Sequence, residues 1–183
     1  MTQWLKELAE QYDTYKREWS FKATSGKTVT VQGETYGTTM NQKRELVWLK
    51  AYLKALAAQE TADGEQISTD NTPERLRVAE YTRDAYTHSG TSIGDTYIEV
   101  DMGLQKLYYY EKGELKLETD TVTGNMKRRY STPEGVNYVY SKQKNRVLRG
   151  QGYTQPVKFW MPVKGAVGIH DAEWRDEFGG DIY

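Results

Sequence analysis

The second half of this chain is dominated by short runs rich in Tyr, Val, Ile, Leu and Thr, and such runs read as sheet. Tyr97 to Asp101, Gln105 to Tyr110 and Glu114 to Val122 are three such runs. Lys112 and Gly113 have the chemistry of a tight hairpin turn between the last two. Gly135 to Tyr140 and Gln155 to Val163 are further strand candidates.

The first half is mixed. Trp4, Leu5, Leu8 and Tyr12 recur at helical spacing, which predicts a helix over 2–14. Glu18 to Thr24 and Thr28 to Gln32 alternate around Ser25-Gly26-Lys27, which predicts a hairpin; Gly33 to Gly37 is a further turn. Asn41 is placed to cap a second helix over 42–60, with Leu46, Leu49, Leu53 and Leu56 as its stripe and Val47 and Trp48 beside it. Residues 61–75 have loop composition, and Leu76 to Ile93 carries too weak a pattern to assign. The expected organisation is an α+β module over 1–92 and a mostly β domain over 95–183.

With 37% apolar residues the chain is polar, but 15 Tyr, 5 Trp and 3 Phe supply enough bulk for cores. Its formal net charge of -1 gives no global nucleic-acid signal. Zero cysteines exclude disulfides and thiolate metal sites. No apolar run is long enough to span a membrane, and the amphipathic, acid-containing N-terminus is not a signal peptide.

Two histidines, His88 and His170, give no metal signature, and no cofactor is expected. His170 follows an apolar run and opens a polar, Gly-containing loop. An imidazole there can take a proton from a thiol or alcohol, or can simply be bonded at a strand end. Ser131 and Thr132 precede Pro133 and read as turn residues rather than nucleophiles. The carboxylates Asp171, Glu173, Asp176, Glu177 and Asp181 match no calcium loop and read as a solvated cluster. Phe159, Trp160, Met161 and Trp174 are candidates to line a substrate cleft, although a strand also needs some of them as core. Residues 127–149 hold seven basic residues and one acidic. They form either a solvated face or a dock for an anionic polymer or substrate carboxylates. Tyr138 and Tyr140 fit strand packing better than base stacking, so nucleic acid is not an expected partner.

Four segments in order resemble the L,D-transpeptidases with a YkuD-type catalytic domain. They are Thr96 to Tyr108; Val122-Thr-Gly124; Ser131-Thr-Pro-Glu-Gly135; and Val157 to Val163 with Val167 to Trp174, spread over about 80 residues. Leu8 to Tyr15, Phe21 to Val29 and Gly33 to Gly37 resemble the peptidoglycan-binding domain that precedes the catalytic domain in some Gram-positive members. The resemblance implies an α+β module followed by a mostly β catalytic domain that is incomplete at its C-terminus. The family's Ser-His-Gly-Cys would lie about ten residues past Tyr183.

It also implies a function: cysteine acyl transfer that forms 3→3 cross-links between peptidoglycan stem peptides, outside the cytoplasmic membrane. His170 would be general base and acid, its ring oriented by the backbone carbonyl of Asp171. A chain without the cysteine would be inactive, and any exporting or anchoring segment would lie outside this sequence. A non-catalytic module that binds peptidoglycan is the alternative reading.

Overall fold

The computed structural model describes residues 1–63, 78–88, 92–125, 130–150 and 152–180, with side chains of 59–63 left aside. They form two compact units. One comprises 1–14 and 37–90, the other 15–36 and 91–183.

The first unit is built on two helices, α1 (Thr2–Tyr12) and α2 (Gln42–Asp63). Leu5 and Ala9, one turn apart, are the buried residues of α1; they pack with Met40, Leu8 and Leu46. Trp4 and Tyr12, expected in the stripe, are exposed, and so is Leu53 of α2. Ala9 takes the buried place on the Leu5 face instead. Asn41 does cap α2, its Oδ1 accepting the Arg44 N–H at 3.2 Å. Between the helices, Thr14 and Thr38 are both fully buried and satisfy each other: the Thr38 N–H donates to Thr14 Oγ1 at 2.9 Å. A short pair joins β3 (Thr39–Met40) to β4 (Tyr81–Arg83), the latter in the stretch that the sequence leaves unassigned. The Glu45 side chain, also buried, accepts the Glu80 N–H at 2.7 Å beside it.

The second unit is mostly β. The predicted hairpin is β1 (Glu18–Lys22) with β2 (Thr28–Gln32), closed by Gly26 at φ +83°. A three-stranded antiparallel sheet follows, β5 (Tyr97–Asp101), β6 (Lys106–Glu111) and β7 (Glu114–Asp120). Lys112 and Gly113 both take positive φ, as a type I′ turn requires. Gln105, fully buried, pins the β5–β6 turn to the segment after β7: its Nε2 donates to Thr123 Oγ1 at 2.7 Å, and its Oε1 accepts the Thr123 N–H at 2.7 Å.

The third sheet runs β10 (Val167–His170), β9 (Tyr153–Lys164), β8 (Gln143–Gly150), all antiparallel, with β9 in the middle. β8 lies in the stretch read from sequence only as basic. The expected strand over 135–140 is not one. Val136 makes a single parallel bridge to Gly33, and Gly135 sits at φ +95°. Here the chain comes so close to Gln32 that a side chain on Gly135 would meet its carbonyl oxygen at 2.4 Å. Tyr138 and Tyr140 lie outside any strand, half-exposed, with rings edge to face at 5.9 Å.

Residues 15–36 therefore cluster with 91–183, although the sequence suggests a single cut near 92–95. The reason is polar. The Glu99 carboxylate, buried, accepts the Thr24 N–H at 3.0 Å and the Thr24 Oγ hydrogen at 2.7 Å. Phe21 meets the Tyr97 ring edge-on at 5.5 Å, and Thr35 Oγ1 donates to the Val163 carbonyl at 3.0 Å. A buried carboxylate stripped of such donors is costly. Glu99→Ala is expected to destabilise this unit by about 2–3 kcal/mol in urea unfolding. Thr24→Val should lose roughly half as much. An unchanged midpoint for Glu99→Ala would show that the joint adds nothing.

Candidate functional site

His170 is the last residue of β10, directly opposite Trp160 on β9. Gly168 makes that pairing possible. A Cβ there would lie 2.7 Å from the Met161 carbonyl oxygen and 2.8 Å from Pro162 Cα. Any side chain at 168 would push β10 off β9. Opposed residues share a sheet face, so the Trp160 and His170 rings meet, 5.8 Å apart. The Trp174 ring stacks on the other contact of the imidazole at 5.8 Å and 28°. His170 itself is exposed.

Its ring is held by a hydrogen bond. Nδ1 lies 2.8 Å from the carbonyl oxygen of Asp171. A carbonyl only accepts, so Nδ1 carries the proton and Nε2 is the basic nitrogen of the neutral ring. The Asp171 side chain turns back on β9, where Oδ1 accepts the Phe159 N–H at 2.7 Å and Oδ2 the Lys158 N–H at 3.0 Å. Burial works against ionisation of this carboxyl. The Lys158 and Phe159 N–H groups, with the residue's own N–H and His170, outweigh it and hold the group below the usual carboxylate range. Next along the loop, Glu173 pairs with Lys158 Nζ.

Of the four cleft candidates, the structure brings Trp160 and Trp174 to His170. Phe159 and Met161 lie on the opposite face of β9, because successive strand residues point to opposite sides. Phe159 is half-exposed there, with Lys144 Nζ 5.9 Å from its ring centroid. Among the described residues no group of three or more potential metal ligands occurs. Asp171 and Glu173 are engaged as above, and Asp181 lies outside the described residues. Thr132 Oγ1 accepts the Gly124 N–H at 2.8 Å, which gives it a turn role. His88 contacts Asp84 Oδ1 through Nε2 at 2.7 Å and packs on Tyr81. A cleft of about 200 Å³ in the second unit is lined by Trp19, Phe21, Lys22, Ile93 and Tyr97, not by His170.

The function of the Asp171 carboxylate was not legible in the sequence. Its only signal is an Asp directly after a strand-end His, and backbone donors twelve residues upstream leave no trace in composition.

Residues 95–182 match the family model described as the L,D-transpeptidase catalytic domain. The chain is similar to the crystal structure of a cysteine-to-serine mutant of an Enterococcus faecium L,D-transpeptidase: 34% identity, TM-score 0.74, covering 98% of this chain and 66% of that one. It is likewise similar to a carbamoyl-enzyme structure of Ldtfm with avibactam, at 34% identity and TM-score 0.73, covering 98% and 65%. The chain thus spans slightly less than two thirds of either relative. No curated protein matches it.

Two outcomes follow from this geometry. Gly168→Ala is expected to destabilise the second unit by about 1–3 kcal/mol and to shift the His170 ring protons in NMR spectra as the imidazole leaves Trp160. The lowered Asp171 group stabilises the fold above the ordinary carboxylate range, and that contribution is lost as pH falls through its folded value. Asp171→Asn should therefore flatten the acid limb of the stability–pH curve, read by thermal unfolding between about pH 2 and pH 6.

Proposed function

We propose that the second unit, whose residues 95–182 match the L,D-transpeptidase catalytic-domain model, serves acyl transfer on peptidoglycan stem peptides, with His170 as general base and acid. The observation that carries this reading is the His170 ring, fixed through Nδ1 on the Asp171 carbonyl with its basic Nε2 on an exposed, tryptophan-flanked face.

In that chemistry Nε2 takes the proton of a cysteine thiol. The thiolate attacks the carbonyl carbon between the third stem residue and the terminal D-alanine. Backbone N–H groups around the cysteine stabilise the oxyanion, typically by about 3 kcal/mol per donor. The C–N bond breaks, the imidazolium returns its proton to the leaving D-alanine amine, and a thioester remains. An amine of a neighbouring stem then resolves it as a 3→3 cross-link, outside the cytoplasmic membrane. Among the described residues no helix is long and apolar enough to cross a membrane.

The 183 residues contain no cysteine, so the sequence as given holds a base without a thiol. It is expected to be inactive by itself. Incubated with a carbapenem, the 183-residue chain should gain no mass by intact-protein mass spectrometry. The same chain continued through a Ser-His-Gly-Cys segment should gain one covalent adduct. In that longer chain His170→Gln should slow acylation by about 10²-fold or more. An adduct on the 183-residue chain, or unchanged acylation in the His170→Gln variant, would overturn the proposal.

A further inference from the structure

From Gly135 through His170 the chain has no Asp or Glu, in a protein whose acidic and basic residues number 26 and 25. Six Lys and Arg residues fall in that stretch. The structure divides them. Lys158 pairs with Glu173, and Lys164 with Glu34 at 2.6 Å. The other four, Lys142, Lys144, Arg146 and Arg149, are exposed, and none takes part in an ion pair among the described residues.

These four sit on or just before β8, the outer strand of its sheet among the described residues. The β8–β9 register, Lys144 opposite Phe159 and Arg146 opposite Val157, puts Lys144 and Arg146 on one face. Asn145 between them takes φ +54°, yet the register on β9 is kept across it, so the two cations stay on one side of the strand. The half-exposed rings of Phe159 and Tyr153 border the same face.

Charge on an edge strand has a simpler use, since it discourages pairing with another chain. Either sign would serve that purpose. Edge protection gives no reason for acids to be absent from 36 consecutive residues. Charge of a single sign along a strand fits an extended polyanion, and the Arg146 guanidinium suits phosphate oxygens in particular.

We propose that the β8 edge binds a phosphodiester-linked anionic polymer of the cell envelope, along Lys144 and Arg146. Choosing an envelope polymer rather than a nucleic acid rests on the wall-directed function proposed above.

The test uses the 183-residue chain and soluble poly(glycerol phosphate), with binding measured by isothermal titration. Binding is expected, weakening steeply as salt rises from about 0.05 M to about 0.3 M. The double variant Lys144→Gln/Arg146→Gln should lower affinity at least tenfold. Lys43→Gln/Lys50→Gln removes the same charge from exposed positions of α2 and should change affinity less than twofold. Circular dichroism should show both variants folded. Three results would overturn the proposal: no binding, equal losses in the two variants, or a single-stranded oligonucleotide bound as tightly as the polymer. Acylation of the cysteine-containing chain is a separate readout. If it is normal while polymer binding is absent, only this inference fails. Polymer binding without acylation fails only the enzymatic reading.

Discussion

The carboxylate of Asp171 is the contact on which the geometry around His170 depends. It accepts two adjacent backbone N–H groups of β9, those of Lys158 and Phe159. That bond fixes the chain immediately after β10, and so fixes the carbonyl that receives His170 Nδ1. One residue thus positions the imidazole through its main chain while its side chain anchors that main chain. A charge-assisted bond to backbone donors is stronger than a neutral one and leaves little freedom to the loop. Gly168 is the complementary requirement, since only a residue without Cβ lets β10 lie against Met161 and Pro162. The two together set which nitrogen of the ring is basic and which face it shares with Trp160.

The same unit recruits a segment that lies far away in sequence. The family match begins at residue 95, yet the hairpin of residues 15–36 is part of the compact body that contains 91–183. Glu99 explains why. A carboxylate buried on a strand needs donors, and Thr24 supplies both its N–H and its hydroxyl. The Lys164–Glu34 ion pair adds a second tie, but it is solvent-exposed and so strongly screened. The buried bond, not the ion pair, is therefore the larger share of the joint.

Charge is unevenly paired around the third sheet. Cations close to the His170 loop and to the hairpin are neutralised by specific partners, whereas those on β8 have no ion-pair partner among the described residues. Pairing holds loops in place; the cations of β8 leave field available to a ligand.

Local rules fixed much of the fold from the sequence alone: the hairpin at Gly26, the β6–β7 turn at Lys112–Gly113 and the Asn41 cap all appear where the residues predicted them. Each depends on neighbours a few residues apart, so φ preference and side-chain reach suffice. His170, too, could be singled out by its setting. What the sequence could not give was every feature that depends on distant chain coming together. Val136 bonds a turn rather than a sheet, β8 forms where only basic charge was visible, Phe159 and Met161 face away from His170, and Thr24 reaches Glu99. Those outcomes were decided by tertiary structure, because a buried polar group takes whichever partner packing brings to it, and packing is a property of the whole chain.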